Sequence, residues 1–142
     1  MSINSKDKGA RFERQIADYF TQEGYVAFRT AQYCGNTGEA PDVSGVPYLH
    51  IECKSYKDTE WDPKWIEQAY RDCKSGYIPV VIHKTDYHKP KVTMSGRDFS
   101  HMMYEYGMPC DEILVTLDLD TFTKVYREYE AARYLEEGGH ER

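Results

Sequence analysis

Three side chains near the middle of this 142-residue chain have the types and spacing to do chemistry together: Asp42, Glu52 and Lys54. Glu52 and Lys54 flank Cys53, and in an extended strand residues two apart point to the same face. Asp42 follows Pro41, and a turn at Val46-Pro47 would fold its segment back beside Glu52. Two adjacent carboxylates repel each other unless a cation or a proton lies between them. Hard oxygen donors of this kind suit Mg²⁺, with Mn²⁺ able to take its place, and the backbone carbonyl of Cys53 can add a further ligand. Lys54 beside such an ion would orient or deprotonate a water, or offset charge on a phosphorane. Metal-assisted hydrolysis of a phosphodiester is the reaction these parts serve. Each residue also has a plainer reading. Glu52 and Lys54 could be a solvated pair on an edge strand, and Asp42 a turn-former next to proline.

The elements that must position these groups follow from periodicity. Phe12, Ile16, Tyr19 and Phe20 recur at helical spacing, so Ser5 to Glu23 predicts a helix stopped by Gly24. Tyr25–Arg29 reads as a strand, and the polar, Gly-containing stretch from Gln32 to Ala40 as an exposed loop. Asp42–Pro47 and Tyr48–Lys54 read as two strands around a turn. Pro63 suits the first turn of a helix spanning Asp62 to Cys73, with Trp65, Ile66, Ala69 and Tyr70 on its apolar side. Tyr77–His83 is a buried-type strand, Lys91–Met94 a shorter one, Ser95–Tyr106 a helix and Asp111–Leu117 extended. A last helix over Leu119–Glu137 ends at Gly138-Gly139. Helices and strands in this order predict an α/β domain, a mixed central sheet flanked by helices.

Read together, Lys8-Gly9-Ala10-Arg11-Phe12-Glu13-Arg14, Gly24-Tyr25, Arg29, Cys34-Gly35, Pro41-Asp42-Val43 and Ile51-Glu52-Cys53-Lys54-Ser55 resemble a known pattern. Pro41-Asp42 with Glu52-Cys53-Lys54 is similar to the PD-(D/E)xK nuclease signature, and the whole series resembles the archaeal Holliday junction resolvases and their phage relatives. The likeness covers about the first 85 residues. It implies a restriction-endonuclease-like fold, DNA as partner, a four-way junction as substrate and a homodimer, because a junction presents two matched strands for cutting. It also implies that the first helix adds a carboxylate, Glu13, to a metal set of Asp42, Glu52 and Cys53. Where the family commonly has a serine before the loop glycine, this chain has Cys34, which bears on how the substrate is held. Glutamine on the helix after the Glu-x-Lys strand is common in the superfamily, and Gln68 falls there. Its plainer reading is an exposed amide.

Further DNA contacts are offered by Lys8, Arg11 and Arg14, which share a helix face, and by Arg29 at a strand end. Ordinary solvated charge explains the helical trio equally well, and Glu13 could be no more than their ion-pair partner. The net charge of −6 is unevenly spread: residues 1–91 carry 13 Lys/Arg and 13 Asp/Glu, residues 92–142 carry 5 and 11. If acids of the first part hold a cation, the surface there is effectively basic, and the acidic C-terminal third is a poor DNA face. The whole of 1–142 reads as a single nuclease domain, with about 95–142 a less recognisable acidic extension. Cys34, Cys53, Cys73 and Cys110 are too dispersed for a zinc site or a disulfide framework. No apolar run is long enough for a membrane span or a signal segment, so a cytoplasmic protein is expected. Rival readings are a nuclease for other DNA (phage DNA processing, restriction or exonuclease) and a non-cutting DNA- or protein-binding domain of the same fold.

Overall fold

The computed structural model describes residues 5–34, 38–103 and 113–138. Helix α1 (Ser5–Gln22) buries Phe12, Ile16 and Phe20 along one stripe, at about 1.5–3 kcal/mol for each side chain removed from water. Gly24 ends it in the left-handed region, and the Tyr25 N–H donates back to the Phe20 carbonyl at 3.0 Å.

Strands β1 (Phe28–Arg29) and β2 (Val43–Ser44) follow, separated by the short helix α2 (Thr30–Cys34). The exposed loop expected from Gln32 onward therefore begins as a helical turn. Its anchors are distant in sequence: the Thr30 N–H donates to the Asp42 carbonyl, and the hydroxyls of Thr30 and Ser44 lie 2.6 Å apart. Strand β1 is also shorter than the expected Tyr25–Arg29. Its partner β2 offers only two residues before the chain turns at Gly45. That turn presses against the preceding segment so closely that a Cβ on Gly45 would lie 1.9 Å from the Val26 carbonyl oxygen, and its φ is +92°.

Strand β3 (Leu49–Tyr56), helix α3 (Pro63–Asp72) and strand β4 (Ile78–Thr85) form a parallel crossover unit. Asp62 caps α3, accepting from the Lys64 N–H at 3.0 Å, and Trp65, Ile66 and Ala69 pack on Val81. Tyr70, expected on the apolar side, is instead largely exposed and donates its hydroxyl to Asp98 at 2.6 Å.

Strand β5 (Lys91–Ser95), helix α4 (Gly96–Met102), strand β6 (Leu114–Asp118) and helix α5 (Leu119–Glu136) complete the described chain. Tyr104 to Tyr106 of the helix expected from Ser95, and Asp111 and Glu112 of the extended segment, lie outside the described residues. The six strands pair in sequence order, β1 to β6, with only β3 and β4 parallel. A mixed α/β sheet with helices on both faces results, as the order of elements predicts. Helix α5 joins the main core through Phe122, Tyr126 and Tyr129. It also grips the turn between β2 and β3. The Tyr126 hydroxyl donates to the Pro47 carbonyl at 2.8 Å, and Arg133 stacks 4.0 Å from the ring centre of Tyr48, a residue held at φ +70°. No helix among the described residues is long and apolar enough to cross a membrane.

Candidate active site

Alternation along β3 decides which residues meet. Leu49, Ile51 and Cys53 enter the main core, while His50, Glu52 and Lys54 point to the face covered by α3. Antiparallel pairing of Val43 with Ile51 sets Asp42 beside Glu52, as the turn at Val46-Pro47 predicts. The backbone N–H of Asp42 donates to the Ile51 carbonyl at 2.8 Å, and its side chain accepts the N–H of Cys53, also at 2.8 Å. In extended backbone the carbonyl of Cys53 opens to the same strand edge as its N–H, toward Asp42. The Cys53 side chain does not: it is buried in the core, and burial pushes its thiol well above the ordinary range. Cys53 can therefore serve an ion only through its backbone.

Electrostatics mark the cluster as unsatisfied. Burial first, then the neighbouring charge of Glu52, pushes the Asp42 carboxyl up to about 8, against the pull of the Cys53 amide. Glu13 adds to the same repulsion. Glu13 itself is raised by burial, although Arg29, whose Nε lies 3.3 Å from its Oε1, draws it down. Arg29 thus belongs to the edge of the site as the partner of Glu13. Among the described residues, no three His, Cys, Asp or Glu side chains already converge on a point at ligand spacing. Buried carboxylates that repel one another nevertheless make a hard-oxygen donor set that fits a divalent ion.

Lys54 donates its ammonium to the Gln68 Oε1 at 2.9 Å. Gln68 is thereby a partner of Lys54 rather than an exposed amide. His50 joins the cluster although its residue type was given no role from the sequence. Its Nε2 lies 2.8 Å from Glu52 Oε1, and both groups are almost wholly buried. With Glu52 ionised, the imidazole N–H is the donor. The period of two along β3 was the available signal, since His50 precedes Glu52 by two residues.

The cationic face of α1 goes elsewhere. Lys8 is paired with Asp86 beyond the end of β4. Arg11 and Arg14 are exposed and line a shallow hollow against Asp18, Asp118 and Asp120. The side chain of Cys34, and Gly35 with it, lie outside the described residues.

Among curated proteins, none matches this sequence. Among solved structures, the chain is similar to Hjc of Archaeoglobus fulgidus, a Holliday junction resolvase from an archaeal hyperthermophile. Identity is 23%, coverage 84% of this chain and 88% of that one, and the TM-score 0.48. A family model matches as well. The family described as "Phage putative PDDEXK endonuclease" matches residues 4–132, a span that holds every described strand and all of Glu13, Asp42, Glu52 and Lys54. The chain belongs to this PD-(D/E)xK endonuclease family, and its mixed sheet is of the restriction-endonuclease-like type.

Proposed function

We propose that the protein is a metal-dependent endodeoxyribonuclease, and that its substrate is a four-way DNA junction resolved by a homodimer. The observation that carries the catalytic part is the buried Asp42–Glu52 pair beside a lysine that Gln68 holds in place. Glu13, Asp42 and Glu52 would hold one or two Mg²⁺ (or Mn²⁺) ions with the Cys53 carbonyl, Glu13 being drawn toward ionisation by Arg29. A bound ion supplies Lewis acidity at the phosphoryl oxygen and lowers the pKa of its water. The remaining work belongs to the chain. Asp42 is fixed by the Cys53 amide, Glu52 by His50, and Lys54 directs its remaining N–H donors at the attacking water or at a non-bridging phosphate oxygen. The junction and the dimer rest on the sequence resemblance to resolvases.

Labelled four-way junction, linear duplex and single-stranded DNA, incubated with Mg²⁺, with Mn²⁺ and without metal, test this reading. Asp42→Asn and Lys54→Ala serve as comparisons. Symmetric, metal-dependent nicking of the junction by the wild type alone is the expected result. Equal cutting of plain duplex would remove the junction and keep the nuclease. No cutting of any substrate with either metal would leave a binding domain. Gel filtration should give roughly twice the 16.6 kDa chain mass.

A further inference from the structure

Beyond Lys54, β3 and β4 continue side by side, Ser55 pairing with Lys84 and Tyr56 with Thr85. Where they end, a hollow of about 410 Å³ opens, lined by Lys57, Lys84, Lys89 and Lys91 together with buried His83. Two acids, Asp58 and Glu60, share the rim. Glu60 is taken by Lys91, whose Nζ lies 2.7 Å from its Oε1. Lys57, Lys84 and Lys89 have no ion pair among the described residues, so three lysines face one remaining acid there. On α1, Lys8 is committed to Asp86, and Arg11 and Arg14 line a second hollow with three aspartates, whose far wall Lys89 also reaches. Lysines without an ion pair among the described residues are therefore gathered at the strand ends, with Lys57 and Lys84 away from those aspartates.

Distance and lining both suit a nucleic-acid strand. Lys57 is three residues past Lys54, about 10 Å along an extended chain, or about three steps of a duplex strand at 3.4 Å each. One lining residue, His83, belongs to an aromatic cluster. His83 packs against both tryptophans of the chain, with ring centres 5.1 Å from Trp61 and 6.0 Å from Trp65, and half-exposed Tyr56 stacks on Trp65 at 5.3 Å. Burial holds His83 neutral, its pKa depressed to about 4, so the charge here is that of the lysines.

We infer that the substrate's phosphate backbone leaves the acidic cluster past Lys54 and crosses this hollow, its phosphodiesters held by Lys57, Lys84 and Lys89. The inference rests on the nuclease reading of the cluster and moves the main phosphate contacts from α1 to the ends of β3 and β4.

The test is DNA binding by fluorescence anisotropy in EDTA, with a labelled four-way junction and a labelled duplex, across a series of salt concentrations. Each phosphate contact contributes about 0.9 to the slope of log K against log salt. The triple variant Lys57→Gln, Lys84→Gln, Lys89→Gln should lose about 2 to 3 from that slope and bind at least tenfold more weakly at moderate salt. Arg11→Gln with Arg14→Gln should change the slope by less than about 1. Trp61 and Trp65 pack on His83, which lines the hollow, so DNA at moderate salt should change the intrinsic fluorescence of the wild type more than that of the triple variant. Should the triple variant fail to fold, the exposed pair Lys57→Gln, Lys89→Gln carries the test with about two-thirds of the slope change. A lysine variant that binds with the wild-type slope and affinity overturns the inference. Absence of DNA binding by the wild type in EDTA and also with Ca²⁺ in its place would instead overturn the nuclease reading.

Discussion

Ile51 and Glu52 are neighbours on β3, almost equally hidden from solvent and chemically opposite. Ile51 sits in the core beneath α1 and α5, where every contact contributes to folding. Glu52 is turned to the other face, where burying a carboxylate costs free energy that only specific partners offset. Those partners are few: His50 at 2.8 Å, and Asp42, which itself resists ionisation. The same division runs along the strand, with Leu49 and Cys53 beside Ile51 and with His50 and Lys54 beside Glu52. A period of two thus lets one eight-residue strand anchor the fold on one side and hold poorly satisfied charge on the other. Such opposed demands on adjacent residues are expected where function, not stability, selects the side chain.

Two substitutions separate the faces. Glu52→Gln keeps an acceptor for His50 and removes a repelling charge. Its melting temperature without metal should equal or exceed that of the wild type, while cleavage falls on the order of 10³-fold, the several kcal/mol that a metal's charge stabilisation supplies. Ile51→Ala should do the reverse. Stability falls by about 2–5 kcal/mol, and turnover per folded molecule, measured well below the melting temperature, stays within about threefold. If Glu52→Gln melts well below the wild type while retaining activity, the two faces have been assigned the wrong way round.

Asp42 sharpens the contrast through pH. Its folded-state pKa of about 8 lies above the ordinary carboxylate value, so the folded protein keeps a proton that the unfolded chain has lost. The stability linked to that proton is complete below about pH 4 and declines as pH rises toward 8. Asp42→Asn has no such proton to lose. The melting temperature of the metal-free wild type, relative to Asp42→Asn, should therefore drop by several degrees between pH 5 and pH 8. A difference independent of pH would mean that Asp42 is not the strained, buried acid described above.

Much of this arrangement is legible in the residues themselves. Alternation places Glu52 and Lys54 on one face, Val46-Pro47 signals the turn that brings Asp42 alongside, and Gly24 and Gly138 bracket helices that depend on local spacing. What is not legible depends on contacts far apart in the chain. Helix α2 is held by Asp42 and Ser44, more than ten residues away, and nothing in its own polar sequence asks for a helix. Periodicity shows that Lys8, Arg11 and Arg14 share a face but not what that face meets, which depends on how α1 rotates onto the sheet. Its core stripe leaves Glu13 facing Arg29 and turns the arginines toward Asp118 and Asp120. The grip of Tyr126 and Arg133 on the turn between β2 and β3 is equally remote, linking the acidic C-terminal third to the placement of Asp42.

The smallest expected effect concerns Gln68, and it tests whether the polar face of β3 is tuned beyond its acids. The Lys54 ammonium is only half-buried and has three donors, one of which the Gln68 carbonyl takes. A hydrogen bond to a charged group is worth about 1.5–3 kcal/mol at most. Water can replace part of it here, so Gln68→Leu should lower turnover by roughly tenfold, about 1.4 kcal/mol. Because Gln68 acts through Lys54, the loss should appear in kcat with KM for DNA nearly unchanged. Gln68→Glu, which keeps the acceptor and adds charge beside the ammonium, should retain more activity than the leucine variant. In a Lys54→Ala background the Gln68→Leu change should cost almost nothing further. Full additivity of the two changes would show that Gln68 touches the substrate by itself, and the face would then carry one more independent contact than the geometry of Lys54 implies.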